Sequence, residues 1–127
     1  MRNCNHPARA ERGRLAEQEA EQYLTRQGLT LRERNYRCKL GEIDLIMADR
    51  DTLVFVEVRL RTHHAFASAA ESVDYRKQQK LLRAARHYLL RTGLTDKVNG
   101  RFDVVAINPR SDNGESIIWL KDAFGAT

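Results

Sequence analysis

The sequence has few of the residues and runs that mark disulfide-bonded, zinc-bound or membrane proteins. It contains two cysteines and two prolines in 127 residues. Cys4 and Cys38 lie far apart and form no Cys-x-x-Cys pair, so neither a disulfide framework nor a zinc site is indicated. No apolar run is long enough to cross a bilayer, and the first residues do not resemble a signal peptide. We therefore expect a soluble, cytoplasmic protein without a membrane partner.

Several catalytic motifs are absent as well. The sequence has no Gly-rich phosphate loop, no Gly-x-Ser-x-Gly elbow and no recognisable Cys-His dyad. Nucleotide hydrolysis and acyl transfer therefore have no support. The length suits one compact domain. We expect this domain to span residues 10–127, behind a loose basic tail of residues 1–9.

Positive charge is in excess, with 22 Lys and Arg against 17 Asp and Glu and a net charge of +5. This excess favours a polyanionic partner such as DNA, although charges at helical spacing also occur on solvated helix faces. Many of the basic residues fall in three clusters, namely Arg9, Arg12 and Arg14; Arg32, Arg34, Arg37 and Lys39; and Arg76, Lys77, Lys80, Arg83 and Arg86.

Hydrophobic periodicity predicts the order helix, three strands, helix, two strands. A meander of three strands followed by a crossover helix implies an α/β sandwich, in which helices flank a mixed sheet. The second helix starts at a Ser68–Glu71 capping box, or later at Ser72 or Asp74, and ends before Gly93. The other predicted elements are a helix over 10–27, strands over 29–37, 102–108 and 116–120, and a hairpin over 41–61.

The hairpin, GEIDLIMADRDTLVFVEVRLR, is the most informative stretch. Strand alternation and a loop over Asp49–Thr52 pair Ala48 with Leu53, and a loop of two residues would keep the same parity. One face is then wholly apolar, with Ile43, Leu45 and Met47 opposite Val58, Val56 and Val54. On the other face Ile46 lies opposite Phe55, Asp44 opposite Glu57, and Glu42 opposite Arg59.

Two carboxylates placed directly across an antiparallel pair repel each other. A divalent cation such as Mg²⁺ or Mn²⁺ would offset the repulsion between Asp44 and Glu57, and so would a salt bridge from Arg59. Both alternatives are open. Glu17 lies at the margin of the apolar stripe of the first helix, and Lys77 lies on the stripe of the second helix, which points toward the sheet.

These residues and their surroundings resemble a known family. The segments GRLAEQEAEQYL, RNYRCKLGEIDLIMAD, LVFVEVRLR and RFDVVAI are similar to successive blocks of the YraN family of bacterial proteins. That family in turn resembles the PD-(D/E)XK nucleases, including the archaeal Holliday-junction resolvases. The resemblance implies a restriction-endonuclease-like three-layer sandwich in the order αβββαββ. It also implies a metal-dependent endonuclease acting on branched or structured DNA.

Carried over by position, Asp44 and Glu57 become the ligands of Mg²⁺ or Mn²⁺, helped by the Val58 carbonyl. Glu17 becomes an outer acid that holds a metal-bound water. Arg59 departs from the pattern, because the superfamily has lysine there and arginine cannot act as a base. Lys77 is an alternative source of the amine.

The residues expected to contact DNA are Arg37, Lys39, Arg61, Arg76 and Lys80, with His63 and His64 near Arg61. The competing hypothesis is a catalytically silent DNA-binding or assembly module, in which the Arg59 side chain replaces the metal. A homodimer is compatible with either hypothesis.

Overall fold

The structure is a computed structural model that describes residues 9–60, 73–108 and 116–125, with side chains from residue 13 onward except that of residue 116. The predicted order of elements is confirmed. Outside the described residues lie the tail up to residue 8, Arg61, His63, His64, the Ser68–Glu71 capping box and the turn over 110–114. The elements are α1 (Arg9–Arg26), β1 (Thr30–Cys38), β2 (Gly41–Asp49), β3 (Thr52–Leu60), α2 (Tyr75–Thr92), β4 (Asn99–Asn108) and β5 (Ser116–Phe124).

The five strands form one mixed sheet in the order β1-β2-β3-β4-β5. Only β3 and β4 are parallel, and α2 makes the crossover that a parallel connection requires. The α1 helix packs on one face and α2 on the other, which gives the predicted three-layer α/β sandwich. Within the described part of the chain, no helix is long and apolar enough to cross a membrane.

Each face of the sheet has its own core. On the α1 side, the small residues Ala16 and Ala20 let the helix approach the sheet closely, and Leu24 fills the space beyond them. On the α2 side the packing is aromatic, and the ring of Phe102 stacks between those of Phe55 and Phe124 at centroid distances of 5.3 and 5.0 Å. The sheet is thus packed between two hydrophobic cores, one on each face.

The helix boundaries follow ordinary capping chemistry. Gly28, with φ of 103°, follows α1 as predicted, because glycine adopts positive φ without a steric penalty. The α2 helix begins after Asp74, whose carboxylate accepts a hydrogen bond from the Lys77 backbone N–H at 2.9 Å. The latest of the three predicted starts is therefore the one used. The last strand continues to Phe124, four residues beyond the predicted end at Leu120.

The predicted register of the central hairpin is confirmed. Ala48 pairs with Leu53 and Ile46 with Phe55. The ladder reaches one pair further, to Asp49–Thr52, so the turn has two residues, Arg50-Asp51, and the predicted loop of four residues is wrong. Arg50 has φ of 58°, which supplies the left-handed backbone that a tight hairpin turn needs.

The apolar face predicted for β2 is wrong at Ile43. Leu45 and Met47 pack on the α1 side, but Ile43 belongs to the core on the α2 side. On the β3 side the ladder ends at the pair Leu45–Val56, whereas on the other side β2 stays paired with β1 as far as Gly41. The strand has therefore turned over between residues 43 and 45, at the position of Asp44.

A similar shift occurs in β1, where the predicted placement of Leu31 and Glu33 on one side is wrong. A β-bulge between these two residues moves them to opposite faces. Leu31 packs in the α1-side core, and the Glu33 carboxylate pairs with Arg91 of α2 at 3.1 Å.

Candidate functional site

The site begins where β2 and β3 part. Asp44 and Glu57 are the first residues after the last paired positions, Leu45 and Val56, and they continue the same register. In place of another ladder bond, the Val58 backbone N–H donates to Asp44 Oδ2 at 2.8 Å. The Asp44 carboxylate thus lies between the two strands, just beyond their last paired residues.

Glu57 is buried, with 5% of its surface exposed. Both of its cationic neighbours approach the same oxygen, since Arg59 Nε lies 3.3 Å and Lys77 Nζ 3.6 Å from Glu57 Oε2. The other oxygen, Oε1, is buried and has no hydrogen-bond partner among the described residues. A buried, unsatisfied carboxylate oxygen is costly and therefore points to an additional ligand or a bound proton.

The α1 helix contributes Glu17 from the opposite layer. Its half-buried carboxyl group hydrogen-bonds with Asp44, and the Asn35 side chain also hydrogen-bonds to it. Asn35 lies on β1 with φ of 50°, a conformation that asparagine tolerates better than most residues. Sequence analysis missed Asn35, although an asparagine within a strand pattern is a signal of local left-handed backbone.

The electrostatics of the cluster favour bound protons. Burial, followed by the negative charge of Asp44, raises the pKa of Glu57 to about 7, against the opposing effects of Lys77 and Arg59. Burial and the Asp44 charge likewise raise the pKa of Glu17 to about 7. The pKa of Asp44 is raised by burial, although the Val58 N–H and the Lys77 charge counteract the shift. The carboxyl groups of Glu17, Asp44 and Glu57 therefore influence one another's protonation.

The structure thus brings together all five predicted catalytic residues, Glu17, Asp44, Glu57, Arg59 and Lys77. The prediction that Lys77 points toward the sheet is confirmed by its contact with Glu57. The expected cross-strand position of Glu42 is different, because β2 pairs there with β1 and Glu42 Oε2 forms a salt bridge with Arg37 Nε at 3.1 Å. Arg59 instead pairs with Glu57 on its own strand.

The predicted DNA-contact residues are spread over two elements. Arg37 and Lys39 are exposed at the end of β1, and Arg76 and Lys80 are exposed on α2, while Arg61 lies outside the described residues. The charge of Arg37 is already matched by Glu42. Lys39, Arg76 and Lys80 are in none of the salt bridges formed within the described ranges.

A divalent cation at this site would have few protein ligands. Across residues 9–60, 73–108 and 116–125, no three His, Cys, Asp or Glu side chains form a group that could hold a metal ion. Mg²⁺, however, commonly binds through one or two carboxylates and keeps several water ligands. The unsatisfied Glu57 Oε1 and the adjacent Asp44 carboxylate fit that mode of binding.

The protein is thus an α/β protein, a three-layer sandwich in which the buried Glu57 and the half-buried Asp44 lie beside a lysine and an arginine where two strands separate. Residues 16–107 match the family described as "Uncharacterised protein family UPF0102". The chain is 51% identical over 115 residues to a UPF0102 protein of Nitrosococcus oceani, covering 90% of this chain and 91% of that protein. A UPF0102 protein of Pseudomonas syringae is 49% identical over 116 residues, covering 91% and 94%. The chain belongs to the UPF0102 family, and the resemblance to the YraN family is confirmed.

Proposed function

We propose that this protein binds nucleic acid and is a metal-dependent endonuclease acting on branched or structured DNA. The observation that carries the proposal is the pair formed by the half-buried Asp44 and the buried Glu57, in which Glu57 Oε1 has no hydrogen-bond partner among the described residues. A structural salt bridge alone would leave no reason to bury that oxygen unsatisfied. Phosphodiester hydrolysis is a reaction that uses such an arrangement of carboxylates.

Each residue has a role that follows from its position. Asp44 and Glu57 would hold Mg²⁺ or Mn²⁺, and Glu17, hydrogen-bonded to Asp44, would orient a water on the α1 side. When bound, the metal supplies Lewis-acid activation of the scissile phosphate and a more acidic water. Lys77 can stabilise negative charge on the phosphate and can exchange a proton, whereas Arg59 can do only the former.

A second function has a specific observation in its favour. Arg59 and Lys77 both pair with Glu57 Oε2 and already supply positive charge at the site. This arrangement supports a catalytically silent nucleic-acid-binding or assembly module, in which the two cations take the place of the metal. The two functions differ in whether Glu57 Oε1 acquires a metal ligand.

The first test measures the melting temperature with and without millimolar Mn²⁺. A metal that binds only the folded state raises the melting temperature of the wild type and leaves Asp44→Ala unchanged. Asp51→Ala, which removes an exposed acid from the turn at the far end of the hairpin, is the matched control and should respond like the wild type. No shift in the wild type would leave only the silent module.

The second test is cleavage of four-way-junction, flap and linear duplex DNA in Mg²⁺ or Mn²⁺. The wild type should cut a branched substrate, and Asp44→Ala and Glu57→Ala should not. If the wild type shows a metal-dependent melting shift but cuts none of these DNAs, the endonuclease function is refuted while metal binding stands.

A further inference from the structure

The outward face of α2 is a ridge of positive charge. It is formed by four basic side chains of α2, whose positions span an arc of about 120° around the helix axis, at 100° per residue. All of them are exposed, and none forms a salt bridge with any other described residue. We call this set the α2 ridge, and it consists of Arg76, Lys80, Arg83 and Arg86.

Several basic side chains outside this ridge have acidic partners. On α2 itself, Lys77 pairs with Glu57 and Arg91 pairs with Glu33. On β1, Arg34 pairs with Glu21 of α1. Some basic residues elsewhere thus have acidic neighbours, whereas α2 itself contains no acidic residue.

This arrangement lowers the stability of the helix. Arg76 and Lys80 are four residues apart, and Lys80 and Arg83 are three apart, so each is a like-charged pair on neighbouring turns. Such pairs destabilise a helix unless an external anion offsets the repulsion. One acidic side chain could not offset the repulsion along the whole ridge, because the four charges are spread along the helix axis.

The dimensions of the ridge match a phosphate backbone. From Arg76 to Arg86 the helix rises about 15 Å, at 1.5 Å per residue. One strand of duplex DNA carries a phosphate about every 3.4 Å along its axis, so the same length presents about four phosphates. The number of charges on the ridge equals the number of phosphates on that length of strand.

A lipid surface fits this face less well. A helix that binds in the membrane interface inserts its apolar side, with its basic side toward the headgroups. The apolar side of α2 is buried against the sheet through Leu81, Ala85 and Tyr88. The available face is mainly charged, with Leu90 as an exposed apolar side chain near its C-terminal end, and it favours an extended polyanion over a bilayer.

The hairpin turn between β1 and β2 is held beside this ridge. A Cβ atom at Gly41 would lie 2.9 Å from the Lys80 carbonyl oxygen, so only glycine permits this close approach of the turn to α2. The contact places the turn, which carries the exposed Lys39, next to the second turn of the helix. Lys39 therefore extends the positive surface away from the helix axis.

We infer that the α2 ridge contacts the phosphate backbone along one strand of a nucleic-acid duplex. This surface is separate from the acidic site formed by Glu17, Asp44 and Glu57. The inference rests on the proposed nucleic-acid binding but not on cleavage. Lys77, on the inner side of the same helix, faces Glu57, while the ridge faces solvent. One helix would thus hold a duplex arm on its outer face and contribute to the acidic site on its inner face.

The test is binding to a labelled DNA duplex of about 20 base pairs, in EDTA, as salt rises from about 50 to 200 mM. The ridge variant carries Arg76→Gln, Lys80→Gln, Arg83→Gln and Arg86→Gln. The control variant loses the same charge from exposed residues at the opposite end of the sheet, through Arg26→Gln, Arg32→Gln, Arg50→Asn and Lys97→Gln. Both variants have the same net charge, so a difference between them reports position.

The ridge variant should lose about three to four units from the slope of log affinity against log salt, since each phosphate contact contributes about 0.9. The control variant should lose less than about one unit. Removing the like-charged pairs should leave the melting temperature of the ridge variant equal to or above that of the wild type. That result would separate lost binding from lost folding.

The outcomes distinguish this inference from the proposed function. If the wild type does not bind DNA at any salt concentration, nucleic-acid binding itself fails, and this inference fails with it. If the wild type binds and the two variants lose slope equally, or the ridge variant binds like the wild type, only the ridge is refuted. Ridge-dependent binding to anionic vesicles without binding to DNA would also overturn it.

Discussion

Substitution of Glu57 by glutamine should flatten the pH dependence of stability. The folded protein holds this carboxyl group in a buried position beside Asp44, which raises its pKa from the ordinary 4.5 to about 7. A carboxyl group with a raised folded-state pKa stabilises the fold while protonated. Its contribution is fully present below pH 4.5 and is lost as pH rises through about 7.

The pKa difference sets the magnitude. A displacement from 4.5 to about 7 corresponds to a loss of about 3 kcal/mol of unfolding free energy between pH 4.5 and 7.5, as an upper bound. Glu17 acts in the same direction, but it is more exposed and contributes less. Glutamine keeps the shape and cannot ionise, so Glu57→Gln should retain only the dependence due to Glu17 and Asp44.

The measurement is urea unfolding followed by circular dichroism at pH 5, 6, 7 and 8 in EDTA. The wild type should lose stability steadily over this range, and Glu57→Gln should lose clearly less. Asp51→Asn, at the exposed hairpin turn, should follow the wild-type curve. A wild-type stability that is constant or increases from pH 5 to 8 would refute the argument, as would an equal slope in Glu57→Gln.

The remaining predictions concern catalysis and packing. Arg59→Lys should raise Mn²⁺-dependent cleavage of a four-way junction, because lysine can exchange a proton and arginine cannot. If Lys77 already supplies the amine, Lys77→Ala should instead abolish wild-type cleavage and leave DNA affinity unchanged. Asp103→Asn should lower the free energy of urea unfolding by about 3 kcal/mol, because the fully buried Asp103 carboxylate accepts hydrogen bonds from Arg101, Trp119 and the Asp122 backbone N–H. A loss below about 1 kcal/mol would contradict this. Gly41→Ala should cost about 1 to 3 kcal/mol through the close contact with the Lys80 carbonyl, and an unchanged melting temperature would show that the turn can move away.

The hairpin register could be predicted because the physical constraint is strong. Alternation has a period of two, so a slip by one residue would place the Leu45, Met47 and Val56 side chains on the wrong face. Lys77 could be placed for a similar reason, since it lies one turn before Leu81 on a helix with a single buried stripe. In both elements a repeating pattern determines the position of one polar residue.

Asp103 was not predicted as a special position because its partners are irregular. Its carboxylate is fully buried and accepts hydrogen bonds from Arg101 Nε at 3.0 Å, Trp119 Nε1 at 2.8 Å and the Asp122 backbone N–H at 2.9 Å. The register of β4 and β5 shifts between Phe102 and Val104, at this carboxylate. An acid within an apolar strand was the available signal, but periodicity cannot predict a bulge or the groups that it exposes.

The departure at Ile43 has the same kind of cause and bears directly on function. Regular alternation would extend the ladder through Asp44, and the repulsion between Asp44 and Glu57 would then be an ordinary cross-strand cost. Instead, the Asp44 carboxylate takes the Val58 N–H, the ladder stops, and Ile43 turns to the other core. The position where regular sheet pairing fails is thus the position where the carboxylates gather, and for this reason a pattern based on regular strands predicted the acids but not the strand conformation that holds them.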